Sequence, residues 1–382
     1  MSFKNKKILN LTFFIACIIS MMLFVFGYTA FAQENGGKER GIKEITIIHT
    51  NDMHGRVLEE DRSGMGFAKL NTKIKEIRNK NKNTLLIDGG DAIQGSKLAY
   101  ITKGESIIKL MNLMDYDIMA VGNHEFDYGY ERLLEIKDMA NFPMLSGNIS
   151  NKYGENDFEP YIIKEVDGVR IGIFSVVTPD TEYATKPENI EGINFLNPVV
   201  ASLGLVKELK EKDVDMIIGL THVGTSKKGD YSSIEIAEKV KDIDIIIDAH
   251  SHEETDKGIK VGDTLIVQSG KYTENLGIIN IKLLNNKIIS KKAKLFSKKE
   301  GEELEEDKEV KDLINKIMEE NKNKLEETIA EPIEIIHTVQ SGEVLFRIGE
   351  KYGLDWIELV KYNGIKYPGK IYPGDKIKIP MY

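Results

Sequence analysis

Between Gly41 and about Lys298, short runs of β-branched residues alternate with stretches whose apolar positions recur three and four apart. The runs Ile45 to His49, Thr84 to Ile87, Ile118 to Val121, Val169 to Val177, Asp215 to Leu220 and Ile243 to Ile247 predict strands. Their near-continuous hydrophobicity suits sheets buried on both faces. Phe67, Leu70, Ile74 and Ile77 predict a helix between the first two strands, and Ile107 to Met114 a second. An α/β layered domain follows over residues 41–298. From Lys298 to Ala330 the chain reads as one long polar helix, a connector over 299–332, packed by the stripe Val310, Leu313, Ile314, Ile317 and Met318. Residues 336–380 change pattern again, to strand, two short helices and strand, with glycines in the loops.

The N-terminus is different in kind. Lys4, Lys6 and Lys7 precede an uncharged stretch from Ile8 to Gln33 that closes on Ala30-Phe31-Ala32. This predicts an export signal over 1–32 with a small-x-small cleavage site; left uncleaved, the same stretch is long enough to be a membrane anchor. Lipid attachment at Cys17 is disfavoured, because apolar residues continue beyond it. Cys17 is the one cysteine, so the exported chain could form no disulfide and would have to build any metal site from nitrogen and oxygen.

Composition narrows the classes further. With 382 residues, 41% hydrophobic and 30% charged, the chain is globular, with room for two or three domains. A formal charge of -9 argues against binding to nucleic-acid duplexes or anionic membranes. Residues 33–330 hold 42 basic side chains against 54 acidic ones, whereas from Glu331 onward seven meet seven. The change in character near 331 marks a domain boundary.

The chemistry gathers where the strands end. In order, the strands run into Asn51-Asp52-Met53-His54-Gly55, Asp88-Gly89-Gly90-Asp91, Gly122-Asn123-His124-Glu125-Phe126-Asp127, Thr221-His222 and Asp248-Ala249-His250-Ser251-His252. Ligands of α/β sheets bind beyond the carboxyl ends of the strands, so five strands deliver Asp, His or Asn to one rim. Five of the seven histidines lie in these segments. One alone would pass for a hydrogen-bonded loop residue; five together would not. In extended backbone, side chains at i and i+2 point the same way, so Asp52 with His54, and His250 with His252, can each share a metal. Nitrogen, carboxylate and amide donors suit Mn, Zn, Fe or Co better than Ca. Asp52, His54, Asp91, Asn123, His222, His250 and His252 are too many for one tetrahedral ion, and two ions sharing a carboxylate accommodate them. Paired cations stabilise the attacking and leaving oxygens of phosphoryl transfer, which predicts metal-assisted phosphoester hydrolysis. Asp88, Asp248 and His49 are weaker candidates for orienting the ligands.

These motifs, with Gly90-Asp91-Ala92-Ile93-Gln94-Gly95, resemble the calcineurin-like metallophosphoesterases, and within them the 5′-nucleotidase group, over residues 41 to about 330. The resemblance implies a four-layer sandwich of mixed sheets flanked by helices. It implies Asp52, His54, Asp91 and His252 at one metal and Asp91, Asn123, His222 and His250 at the other, with Asp91 bridging and a hydroxide between the ions as nucleophile. It further implies that His124, oriented by Asp127, meets the phosphoryl or leaving oxygen. That group usually carries a large nucleotide-clamping domain after the connector. The different pattern after Ala330 therefore leaves nucleotide specificity open.

Residues 336–380 resemble a LysM (lysin motif) module, a small βααβ domain that binds peptidoglycan or other N-acetylglucosamine polymers. The resemblance places a glycan groove between Gly342, Glu343, Val344 and Leu345 on one side and Ile371, Tyr372, Pro373 and Gly374 on the other. Glu343-Val344 departs from the usual Asp-Thr. Trp356, in helical spacing with Leu359 and Val360, is expected in the module's core. The combined expectation is an exported enzyme, extracellular or held at the cell wall, hydrolysing phosphate esters of nucleotides or related small molecules with two divalent ions. The same site on cyclic nucleotides or nucleotide sugars, and a non-catalytic wall-binding protein, are the alternatives.

Overall fold

The computed structural model describes residues 41–59, 64–225, 231–330 and 334–380, with isolated exceptions at 341, 353, 355 and 367. The expected signal segment lies outside the described residues. Two six-stranded mixed sheets form the centre of the molecule. The first contains β1 (Ile42–Thr50), β2 (Thr84–Asp88), β3 (Ile118–Ala120), β4 (Met144–Leu145), β13 (Asn275–Leu284) and β14 (Lys287–Ser297). Its order is β14-β13-β1-β2-β3-β4, parallel from β1 to β4, with β13 and β14 as an antiparallel hairpin. The second contains β6 (Tyr161–Val166), β7 (Val169–Val177), β9 (Met216–His222), β10 (Ile245–Asp248), β11 (Ile259–Val261) and β12 (Thr264–Val267). Its order is β11-β12-β10-β9-β7-β6, with β7, β9, β10 and β12 parallel and both edges antiparallel. A short ladder of β5 (Ile149–Ser150) and β8 (Asn194–Phe195) stands apart.

Alternation along each strand explains the layering. Ile45, Ile47, Leu85 and Ile87 face the second sheet and meet Ile171, Ile173, Ile218 and Ile247 in a fully apolar seam. Ile48 and Leu86, one residue out of phase, face outward onto helices Gly66–Lys80, Glu105–Leu113 and Lys308–Glu320 through Leu70, Ile74, Ile108 and Ile314. Phe174, Val176 and Ile246 do the same for helices Pro198–Glu211 and Ser233–Lys239. The result is the expected helix-sheet-sheet-helix sandwich. Among the described residues, no helix is long and apolar enough to cross a membrane.

The connector departs from the single helix read in the sequence. β14 runs to Ser297, a turned segment follows, and the helical part is two helices, Lys308–Glu320 and Lys322–Ala330. Asp307 caps the first by accepting from Val310 N at 3.2 Å. Asn321 ends it, its Nδ2 donating to Ile317 O at 2.8 Å, an amide competing with the helix for its own carbonyls. The stripe itself packs as expected, with Val310, Ile314 and Ile317 buried.

The C-terminal unit pairs β15 (Glu334–Thr338) antiparallel with β16 (Lys376–Pro380) around helices Leu345–Lys351 and Trp356–Tyr362. Val339, Leu345, Ile348, Leu359, Ile377 and Ile379 form its core, with Trp356 half-buried against them. Replacing Ile47, central to the inter-sheet seam, by Ala should cost about 2–5 kcal/mol of unfolding free energy in urea titration, because the seam cannot collapse onto the missing atoms.

Candidate metal centre

The carboxyl ends of β1, β2, β3, β9 and β10 converge as the motifs require. Two groups of donors form, Asp52 with His54 and His252, and Asp91 with His222 and His250; within each, the donor atoms lie within 4.8 Å of one another. Asn123 joins the second, its Oδ1 lying 3.1 Å from His222 Nε2 and 2.8 Å from His250 Nδ1. All seven expected ligands therefore come together.

The route by which they do so differs from the extended backbone expected. Asp52, His54, Asp91, His250 and His252 have φ of 50°, 48°, 57°, 76° and 57°. Left-handed backbone at a residue with a Cβ costs roughly 1–2 kcal/mol, and five cases in one rim mark a functional site rather than accident. A second correction concerns His250 and His252. They do not share a group, because their left-handed backbone sends His250 to Asp91 and His252 to Asp52.

Buried polar contacts hold the ligands. His222 Nδ1 faces Gly89 O at 2.9 Å, which directs Nε2 to Asp91 Oδ2 at 3.1 Å. Asn51 Nδ2 donates to Asp52 Oδ2 at 2.7 Å, while its Oδ1 accepts from Ser269 N and Oγ. Glu125 accepts from the backbone N–H groups of Asp91, Ala92 and Gly122 at 2.7, 2.8 and 2.7 Å, joining the loops after β2 and β3. Reading the Gly-Asn-His-Glu motif and the Asn51–His54 segment only for ligands missed Glu125 and Asn51. Their signal was position, each adjacent to a chemistry-bearing residue at a strand end. Asp88 and Asp248 instead serve the strand ends, Asp88 accepting from Thr50 Oγ1 and Asp248 from Thr221 Oγ1 and Ser233 Oγ. His49 is buried near the end of β1, its Nδ1 without a hydrogen-bond partner among the described residues.

The charges fit cations. Burial holds His54 and His250 down to about 3 and about 4, keeping both imidazoles neutral as ligation demands. Burial also opposes protonation of His222, but Asp91 overrides it and raises His222 to about 10, so a cation in this group would take the place of the Nε2 proton that now faces Asp91. Burial works against the Asp91 charge, yet His222 and His124 hold its carboxyl well below the usual range. His54 Nε2 and His252 Nε2 lie only 3.3 Å apart beside the Asp52 carboxylate. Two imidazole nitrogens so close require a proton or cation between them, so the donor set fits divalent metal.

His124 stands apart from both groups. Its Nδ1 lies 2.7 Å from Asp127 Oδ2, and its ring centroid is 5.2 Å from that of His54. Burial lowers the affinity of its ring for protons, but Asp127 and Asp91 raise it to about 9.

In the C-terminal unit, Gly374 N donates to Val339 O at 2.8 Å, which ties the 371–374 segment to the chain just after β15 that leads into 342–345. Val344 and Tyr372 are exposed. Leu345 is a correction, since it is a core residue 2% exposed and offers no side chain to a glycan. Glu343 is tied to His337 Nε2 at 2.7 Å and to Gln340 N at 2.6 Å.

The calcineurin-like phosphoesterase family model matches residues 45–254, and the LysM domain model residues 337–380. The chain belongs to the calcineurin-like phosphoesterase family, and it carries a LysM domain. The 5′-nucleotidase of Vibrio cholerae serotype O1 is 33% identical over 275 residues, 64% of this chain and 50% of that protein. The trifunctional nucleotide phosphoesterase protein YfkN of Bacillus subtilis is 29% identical over 344 residues, 79% of this chain and 22% of that protein. The crystal structure of calcineurin-like phosphoesterase YfkN from Bacillus subtilis superposes with a TM-score of 0.67 at 25% identity, covering 75% of this chain and 99% of that one. The chain thus spans about half the length of the 5′-nucleotidase, and less of the longer relative.

Asp91→Ala or His250→Ala should lower bound Mn or Zn, read by elemental analysis of the dialysed protein, together with turnover. Full metal content in either variant would contradict the assignment.

Proposed function

We propose that this protein is an exported phosphoesterase of 5′-nucleotidase type that uses two divalent ions to hydrolyse nucleotide phosphate esters and is retained at the cell wall by its LysM module. The carrying observation is the pair of buried donor groups in one rim with the His124–Asp127 pair beside them. The names of the matched relatives support the nucleotide, and the basic-then-apolar N-terminus supports export. The exposed Val344 and Tyr372 in the two expected glycan-binding segments support glycan contact.

Asp52, His54, Asp91 and His252 would hold one ion, and Asp91, Asn123, His222 and His250 the other. Such ions supply positive charge to the phosphoryl oxygens and lower the pKa of water at the site. The remaining work falls to the chain. Asp127 raises the pKa of His124 and engages its Nδ1, so Nε2 is the atom from which the ring can offer a proton. Water adds to phosphorus and the ester P–O bond breaks; the departing oxygen takes the His124 proton, and the proton released by the water, passed through solvent, restores the ring. Asp127 fixes the ring and stabilises its charged form.

Phosphate release from AMP, 2′,3′-cyclic AMP and p-nitrophenyl phosphate, with Mn or Zn and then with chelator, tests the reading. Release from AMP that chelator abolishes is expected; no release from any ester with both ions bound would leave a wall-binding protein.

His124→Ala should keep both ions and lose about 100- to 10,000-fold in rate on poor leaving groups. Asp127→Asn should shift the alkaline limb of kcat to lower pH. The sign follows from the acid form being the active one, since Asp127 raises the His124 pKa and its loss makes the proton leave earlier. A limb that stays in place, or moves up, would remove His124 as the proton donor.

A further inference from the structure

Residues 268–274, between β12 and β13, carry the chain from the second sheet back to the first, and none of their side chains takes part in the chemistry described above. The loop is tied to both segments that supply the Asp52–His54–His252 group. Gly270 N donates to Glu253 O at 2.9 Å, next to His252, and Tyr272 N donates to Asp52 O at 2.9 Å. Tyr272 and Thr273 have φ of 53° and 63°. Left-handed backbone is uncommon at a residue with a Cβ and an outlier at a β-branched one, so two in succession persist only where the surroundings fix them. The 64–66 segment does so: Gly64 N donates to Tyr272 O at 2.7 Å, Met65 N to Thr273 O at 2.9 Å and Gly66 N to Thr273 Oγ1 at 3.1 Å.

This backbone presents one ring to the metal centre. Tyr272, 7% exposed, has its ring centroid 5.5 Å from that of His54 and 6.2 Å from that of His252. The two imidazole centroids are 5.3 Å apart, so three rings from three loops close a triangle at distances that aromatic contacts favour. Two basic side chains also reach the tyrosine ring, Arg56 Cζ at 5.0 Å and Lys271 Nζ at 4.7 Å from its centroid. Metal-binding histidines are usually oriented by a hydrogen bond on the second ring nitrogen, as Gly89 O orients His222. Among the described residues, His54 and His252 have no such partner on Nδ1, and the Tyr272 ring is the neighbour they share. The other donor group has no tyrosine of this kind, for among the described residues His222 and His250 meet only each other's ring, centroids 5.4 Å apart.

We propose that Tyr272 is a positioning residue for the ion of the Asp52–His54–His252 group: its ring sets the angle of both imidazoles, so that the affinity of this ion, and not that of its neighbour, depends on it. The assignment rests on the two-ion reading above. It needs the ring and not the phenol oxygen.

The test uses the full chain stripped with chelator and titrated with Mn, bound metal being read by equilibrium dialysis and elemental analysis with no substrate present. Tyr272→Phe should keep both affinities within about twofold of the parent, whereas Tyr272→Ala should weaken one ion about 10- to 100-fold and leave the other within about threefold. Tyr272→Leu keeps apolar bulk without a planar ring; it should lose the same ion, while its metal-free melting temperature matches the parent's, which separates lost positioning from lost fold. In a His252→Ala background, where the same group has already lost a ligand, Tyr272→Ala should add no further weakening. Parent affinities in both the Ala and Leu variants, equal weakening of both ions, or a Phe variant as weak as the Ala variant would each overturn the inference, as would a fully additive loss in the His252→Ala background. If the parent binds a single ion, the two-ion reading falls; the assignment of Tyr272 then stands if that ion weakens in both His252→Ala and Tyr272→Ala, and falls otherwise.

Discussion

One buried carboxylate holds the rim in register. Glu125 accepts from backbone N–H groups on both sides of the gap between the loops after β2 and β3, the loops that present Asp91 and Asn123. Were those donors turned inward without Glu125, each would carry a penalty of about 1–3 kcal/mol. The charge has its own cost, since burial and the Asp91 carboxylate push Glu125 up to about 7. Charge-assisted bonds to several N–H groups offset part of it. Asp91 in turn accepts from His124 N at 2.8 Å, so the His124–Tyr128 helix is placed by the same chain of contacts.

Much of this was legible in the sequence because it follows from period and position. Strands β1, β2 and β7 fall where their β-branched runs lie; His222 ends its strand and the other expected ligands sit two to four residues beyond theirs, because parallel sheets open their crevice there. The resemblance to known phosphoesterases and LysM modules carried the assignment of ligands to two groups. What stayed hidden was local backbone. Nothing in Asp52-Met53-His54 announces left-handed φ, since Asp and His adopt it only when the surroundings force them. The same left-handed backbone sends His250 and His252, which extended backbone would have let share an ion, to the separate groups that the resemblance implied. In the connector, the helical stripe concealed a break made by a single amide at Asn321. At Leu345, a loop-end position concealed a core side chain, because a short module has few residues with which to fill its interior.

The sites rest on two unlike foundations. The phosphoesterase rim is built on twelve strands locked by an apolar seam, a rigid base suited to holding charged groups at fixed spacing. The LysM loops rest on a two-stranded ladder and six buried side chains. Chemistry that needs fixed geometry thus belongs to the large sandwich, while a binding surface that tolerates adjustment suits the small module.

The ligands are distributed along the chain from Asp52 to His252, across both sheets. No local hairpin or helix can therefore assemble either donor group before the tertiary structure is complete. By linkage, cations that bind only the finished fold draw the folding equilibrium toward it, and the thermal midpoint becomes a function of free metal concentration. An organism that withholds metal from this chain would be withholding part of its structural cohesion along with its reactivity.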